Sequence, residues 1–146
     1  MAARPGDELA DNAEWRPTPM NDIQIPATKN TPEIFSDIAR QQLTIKGEAY
    51  PENAAQFYAP FFIWLEEYLA AGANHATEVT IDLAYFNSSS SKVLLDLFNR
   101  LEQAAGQGHQ VVVNWRYHKE NDMILEYGEE FAEELASLDF RLQEYS

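Results

Sequence analysis

Two strand-like runs joined by one helix-like run constrain most of what this chain can fold into. Glu78 to Tyr85 alternates, with Val79, Ile81 and Leu83 on one face and Thr80 and Asp82 on the other. Gln110 to Tyr117 is a second strong strand built on Val111, Val112, Val113 and Trp115. Between them Val93, Leu94, Leu97, Phe98 and Leu101 recur at helical spacing, and Gly106 and Gly108 close that helix. Two strands joined by such a helix imply a right-handed parallel crossover, so the fold class is α/β.

The flanking segments extend the pattern. Ile23 to Ile25 is a short extended piece ended by Pro26. Glu33 to Asp37 and Gln42 to Lys46 read as a hairpin, although Ala39-Arg40 is poor turn chemistry. Pro51-Glu52-Asn53 opens a helix, because proline and an acidic residue suit a first turn. Phe57, Phe61, Trp64, Leu65, Tyr68 and Leu69 carry its inner face until Gly72, with Pro60 predicting a kink or a late start. Glu120 to Leu135 is a third helix, with Ile124, Tyr127, Phe131 and Leu135 inward. Its outward row of Glu126, Glu129, Glu130, Glu133 and Glu134 reads as a solvated face, with an acidic docking surface as the alternative. Phe140 to Tyr145 is a last strand, and Trp64 and Trp115 are core candidates. The order β-β-β-α-β-α-β-α-β predicts a small mixed β-sheet with helices packed mainly on one face.

Residues 1–19 stand apart. They hold Pro5, Pro17 and Pro19, no apolar periodicity, and Leu9 and Trp15 as sizeable apolar side chains. They read as a flexible N-terminal extension or an upstream start, leaving 20–146 as a single domain. A net charge of −14 argues against a nucleic acid or an anionic membrane as partner. With no cysteine there is no disulfide framework and no thiol chemistry. Apolar runs such as Phe61 to Leu65 are too short for a bilayer, and the N-terminus lacks the basic and apolar pattern of a secretory signal. A cytoplasmic location is the expectation.

The chemistry concentrates at Tyr85-Phe86-Asn87-Ser88-Ser89-Ser90-Ser91-Lys92, where a strand hands over to a helix. Four consecutive hydroxyls stand where first-turn N–H groups and the helix dipole favour an anion. One reading is capping, in which a serine oxygen satisfies an orphan N–H; one serine suffices for that. A second is acyl chemistry, since Ser89-Ser90-Ser91-Lys92 matches S-x-x-K and would make Ser89 and Lys92 the working pair of a small hydrolase or transferase. The companion S-D-N and K-T-G elements and a G-x-S-x-G elbow are absent. His75, His109 and His118 read as surface residues without metal-ligand spacing, and no metal or cofactor is expected. Asn87-Ser88-Ser89 fits a glycosylation sequon, but nothing routes the chain to a secretory compartment. A third reading is phosphorylation, which needs an accessible hydroxyl, a short loop and a helix start able to hold a dianion. Lys92, in the first turn, would then pair with the phosphate.

The segment from about Met20 onward resembles the SiaC family of bacterial regulatory phosphoproteins. The resemblance is carried by Thr31-Pro32-Glu33-Ile34, by Gly47-Glu48-Ala49-Tyr50-Pro51-Glu52-Asn53-Ala54, by the serine junction, and by Asn114-Trp115-Arg116-Tyr117 followed by Asp122-Met123 and Gly128-Glu129-Glu130. It implies a STAS-like fold related to anti-sigma-factor antagonists, and a protein with no enzymatic activity of its own. It further implies a Ser/Thr protein kinase that modifies the hydroxyl directly after the junction asparagine and a PP2C-type phosphatase that reverses this. The unmodified form would bind and activate a diguanylate cyclase, raising cyclic di-GMP and promoting aggregation or biofilm. In this chain the acceptor is then Ser88, with Ser89 next and Asn87, Ser89, Ser90, Ser91 and Lys92 as its surroundings. Tyr50, Pro51, Glu52 and Asn53 are candidates for a partner surface, or else a helix-start turn. Two features depart from the family pattern: the extension of residues 1–19, and a first hairpin without glycine around Ala39-Arg40. A constitutive scaffold domain that never switches is the remaining alternative.

Overall fold

The computed structural model describes residues 20–72 and 76–146; the expectations for 1–19, with Leu9 and Trp15, and for His75 lie outside the described residues. The elements run β1 (Gln24–Ile25), β2 (Glu33–Asp37), β3 (Gln42–Ala49), α1 (Ala54–Ala71), β4 (Thr77–Phe86), α2 (Ser88–Gly106), β5 (Val111–His118), α3 (Asp122–Glu133) and β6 (Asp139–Tyr145). Among the described residues the six strands form one sheet in chain order, antiparallel from β1 to β3 and parallel from β3 to β6.

Three successive crossovers of one hand, all stepping in one direction, place their helices on the same face of the sheet. The burial pattern agrees. Leu43 and Ile45, Val79, Ile81 and Leu83, and Val111, Val113 and Trp115 point under the helices and are buried. Phe61, Leu65, Leu94, Leu97, Phe98, Leu101 and Phe131 meet them from the helical side. The opposite face is polar and open: the Asn114 amide donates to Glu78 at 2.8 Å, Arg116 pairs with Asp82 at 3.2 Å, and the Tyr145 hydroxyl donates to Asp82 at 3.3 Å.

Several local expectations change. The β2–β3 connection contains a 3-10 turn, Ile38–Arg40, whose start is capped by Asp37, and Gln41 at φ 55° takes the left-handed position a glycine would favour. Pro51 and Glu52 precede α1 rather than filling its first turn, because Asn53 is the cap. Pro60 lies within α1, which runs unbroken past it; one missing backbone donor on an exposed turn is carried by packing of the inner face. Trp64 is only half-buried, its indole N–H donating to the Asn21 carbonyl at 2.9 Å, whereas Trp115 is wholly inside.

Candidate functional site

Parallel strands end at a common carboxyl edge, and each following helix begins there. The three helices among the described residues start in the same way. The side chains of Asn53, Asn87 and Asn121 accept the N–H of Gln56, Ser90 and Ile124 at 3.1, 2.9 and 3.2 Å. The cap of α2 is therefore Asn87, and no serine of the run performs that task, correcting the capping reading. The short polar side chain of asparagine reaches an N–H three residues on, which leaves the next residue free.

The four serines divide by environment. Ser88 is exposed at the first position of α2. Ser89 is half-buried and its hydroxyl donates to Asn87 Oδ1 at 3.1 Å. Ser90 is fully buried, 3.2 Å from the Tyr58 hydroxyl of α1. Burial pushes the Tyr58 phenol up, with the Ser90 hydrogen bond pulling the other way. Ser91 is half-buried, and its N–H donates to the Asn87 carbonyl at 2.9 Å. Lys92 is exposed one turn beyond Ser88. Only Ser88 thus combines exposure with a hydroxyl that neither caps the helix nor sits in the core.

The corner is tied to the neighbouring strand. The Asn87 N–H donates to the Ala49 carbonyl at 3.1 Å, tying the α2 start to the end of β3. One residue pair earlier the β3–β4 register slips: Gly47 faces Leu83, Glu48 faces Tyr85, and Ala84 is the extra residue. Gly47 carries φ +122°, a conformation open to glycine alone at low cost. The bulge turns Tyr85 outward, where its ring meets that of Tyr50 edge-on at 5.7 Å. Of the other residues proposed for a partner surface, Pro51 is buried, Tyr50 half-buried, and Glu52 and Asn53 exposed. The hydrolase pair is not assembled: the Ser89 hydroxyl is directed at Asn87, and Lys92 stands in solvent. A concavity of about 760 Å³ lies at the opposite edge between the ends of α1 and α2, lined by Glu66, Arg100 and His109 among others.

The remaining described histidines are tied down. His109 Nε2 lies 3.1 Å from the buried Thr77 hydroxyl, and His118 Nδ1 accepts the Glu120 N–H at 3.0 Å.

The SiaC family regulatory phosphoprotein profile matches residues 25–145. The chain belongs to the SiaC family. An uncharacterised protein of Pseudomonas aeruginosa (strain UCBPP-PA14) is 36% identical over 124 residues, which cover 85% of this chain and 97% of the relative. The solved structure of SiaC of Pseudomonas aeruginosa superposes with a TM-score of 0.78 at 33% identity, covering 86% of this chain and 100% of that one. The crystal structure of the diguanylate cyclase SiaD in complex with its activator SiaC, also from Pseudomonas aeruginosa, gives a TM-score of 0.79 at 35% identity, covering 85% and 100%. These SiaC-family similarities span the described fold from β1 to β6, including the serine junction.

Proposed function

We propose that this chain is a non-catalytic activator of a diguanylate cyclase, switched by reversible phosphorylation of Ser88. The observation that carries the site is the division of labour at the α2 start: Asn87 caps, Ser90 packs, and Ser88 is left exposed. A kinase can reach that hydroxyl without unfolding anything. The product adds roughly −1.5 to −2 charges at one point of a preformed edge. Family membership and the cyclase-bound relative support the choice of partner. A Ser/Thr kinase and a PP2C-type phosphatase set the modification state in the cytoplasm, and the unmodified form raises cyclic di-GMP and promotes biofilm.

A kinase assay read by mass spectrometry tests the acceptor. Label is expected on Ser88 and absent from Ser88→Ala; labelling of Ser88→Ala at the wild-type level would move the site to another hydroxyl, Ser89 first.

A further inference from the structure

Five large apolar side chains among the described residues stand at least about a third exposed: Ile63, Tyr85, Leu95, Met123 and Leu142. Ile63 and Leu95 lie on the outer faces of α1 and α2, and Leu142 on the outermost strand β6. Tyr85 and Met123, 47% and 58% exposed, are brought to the carboxyl edge beside Ser88. The bulge at Ala84 aims Tyr85 outward. The Asn121 amide donates to the Ala84 carbonyl at 3.1 Å, docking the start of α3 on the same bulge. The Tyr127 ring lies 4.8 Å from that of Phe86, and Met123 is one helical turn before Tyr127 on that side of α3. The two apolar side chains therefore flank the Phe86-Asn87-Ser88 corner.

We infer that Tyr85 and Met123 are the apolar anchors through which the unmodified edge docks on the cyclase, with Ser88 in the contact they enclose. The inference rests on the reading of the switch given above. Charge selects the occupant. The edge is rimmed by exposed Glu48, Glu52, Glu120 and Asp122, against Lys92 and Lys119. A second copy would bring the same acidic rim face to face, and a net charge of −14 repels a nucleic acid or an anionic lipid surface. The complementary surface is a protein with an apolar recess ringed by Lys and Arg. Against such a ring a phosphate would be attracted if it stayed in solvent. It blocks docking only where it must be desolvated among apolar side chains, as a neutral serine hydroxyl need not be at comparable cost.

Titration calorimetry of the full chain with the cyclase tests this. Tyr85→Ala and Met123→Ala are each expected to weaken binding by about tenfold or more, as anchors at an interface centre do. Ile63→Ala should bind as wild type, and Ile63→Ala and Met123→Ala should keep the wild-type unfolding midpoint because those side chains are exposed. Tyr85→Ala also gives up the Tyr50 ring contact, so its midpoint should fall slightly while the chain stays folded at the assay temperature. The loss caused by Ser88→Glu should persist at high salt, since desolvation is not screened. Wild-type binding by both anchor variants, while Ser88→Glu still loses it, would overturn the anchors and leave the switch standing. A Ser88→Glu defect abolished by salt would replace desolvation with repulsion and overturn the enclosed placement. No binding by the unmodified wild type would overturn both proposals.

Discussion

Gly128→Ala should destabilise the protein, although alanine is the better helix former. Gly128 is buried within α3 against Trp115. A Cβ there would stand 2.5 Å from Trp115 Cδ1, 2.6 Å from its Nε1 and 2.8 Å from Leu142 Cδ2. Carbon contacts settle near 3.5–4.0 Å, so roughly 1 Å must be found. Leu142, 38% exposed, can swing away. Trp115 cannot move as easily: Phe86, Phe98, Phe131 and Phe140 surround its ring at centroid distances of 5.5–6.2 Å, and its N–H donates to the Ile124 carbonyl at 2.9 Å. Overpacking of this kind costs about 1–3 kcal/mol, and a lost buried hydrogen bond adds about 1. Helix propensity returns about 1 kcal/mol. The net is a destabilisation of about 1–3 kcal/mol, which for a domain of this size lowers Tm by roughly 4–12 °C. Thermal and urea unfolding followed by circular dichroism measure it, and the near-ultraviolet band of Trp115 should change with it. A Tm equal to or above wild type would show that propensity wins and that the space beside Trp115 is not filled as described.

Tyr58→Phe should cost about 1–3 kcal/mol by stranding the buried Ser90 hydroxyl, and adding Ser90→Ala should recover part of that loss; strictly additive effects in urea unfolding would argue against a direct pair. Glu102 on α2 accepts the backbone N–H groups of Ala136, Ser137 and Leu138, and these hydrogen bonds, that of Ala136 foremost, hold its carboxyl below its ordinary pKa. Its stabilisation is present above the ordinary carboxylate pKa and is lost as pH falls through the depressed folded value, so Glu102→Gln should be less stable near pH 7 and converge with wild type in acid. A gap that stays constant with pH would remove the carboxylate from that account. With phosphoserine installed at position 88, Lys92→Met should raise the second pKa of the phosphate in a ³¹P titration, because the cation one turn away favours the dianion. Identical titration curves would free Lys92 from the phosphate's surroundings.

The central strands were legible because both carry strong periodic signals: β4 alternates cleanly and β5 is a dense run of β-branched residues ending on Trp115. Right-handed crossovers fix the face on which each helix packs but not the direction of each step, so the strict chain order of the strands is set by tertiary packing that no local pattern encodes. The junction was legible as a place but not in its division of labour. Four serines drew the capping role to themselves, while Asn87, and likewise Asn53 and Asn121, hold it. Serine and asparagine cap comparably, so residue type could not decide between them. The bulge at Ala84 was hidden, since a continuous run of strand-forming residues reads straight through an extra one; Gly47 on the partner strand was the available signal. Gly128 stood out only as part of a family resemblance, and its cause, the indole lying against it, is a tertiary contact that no local pattern encodes.

Cyclase activity in the presence of this chain, prepared either unmodified or stoichiometrically phosphorylated at Ser88, tests the switch most directly. The unmodified chain should stimulate cyclic di-GMP synthesis and the phosphorylated chain should not, with phosphatase treatment restoring stimulation. Equal stimulation by both forms would mean that the exposed hydroxyl at the α2 start does not control the partner.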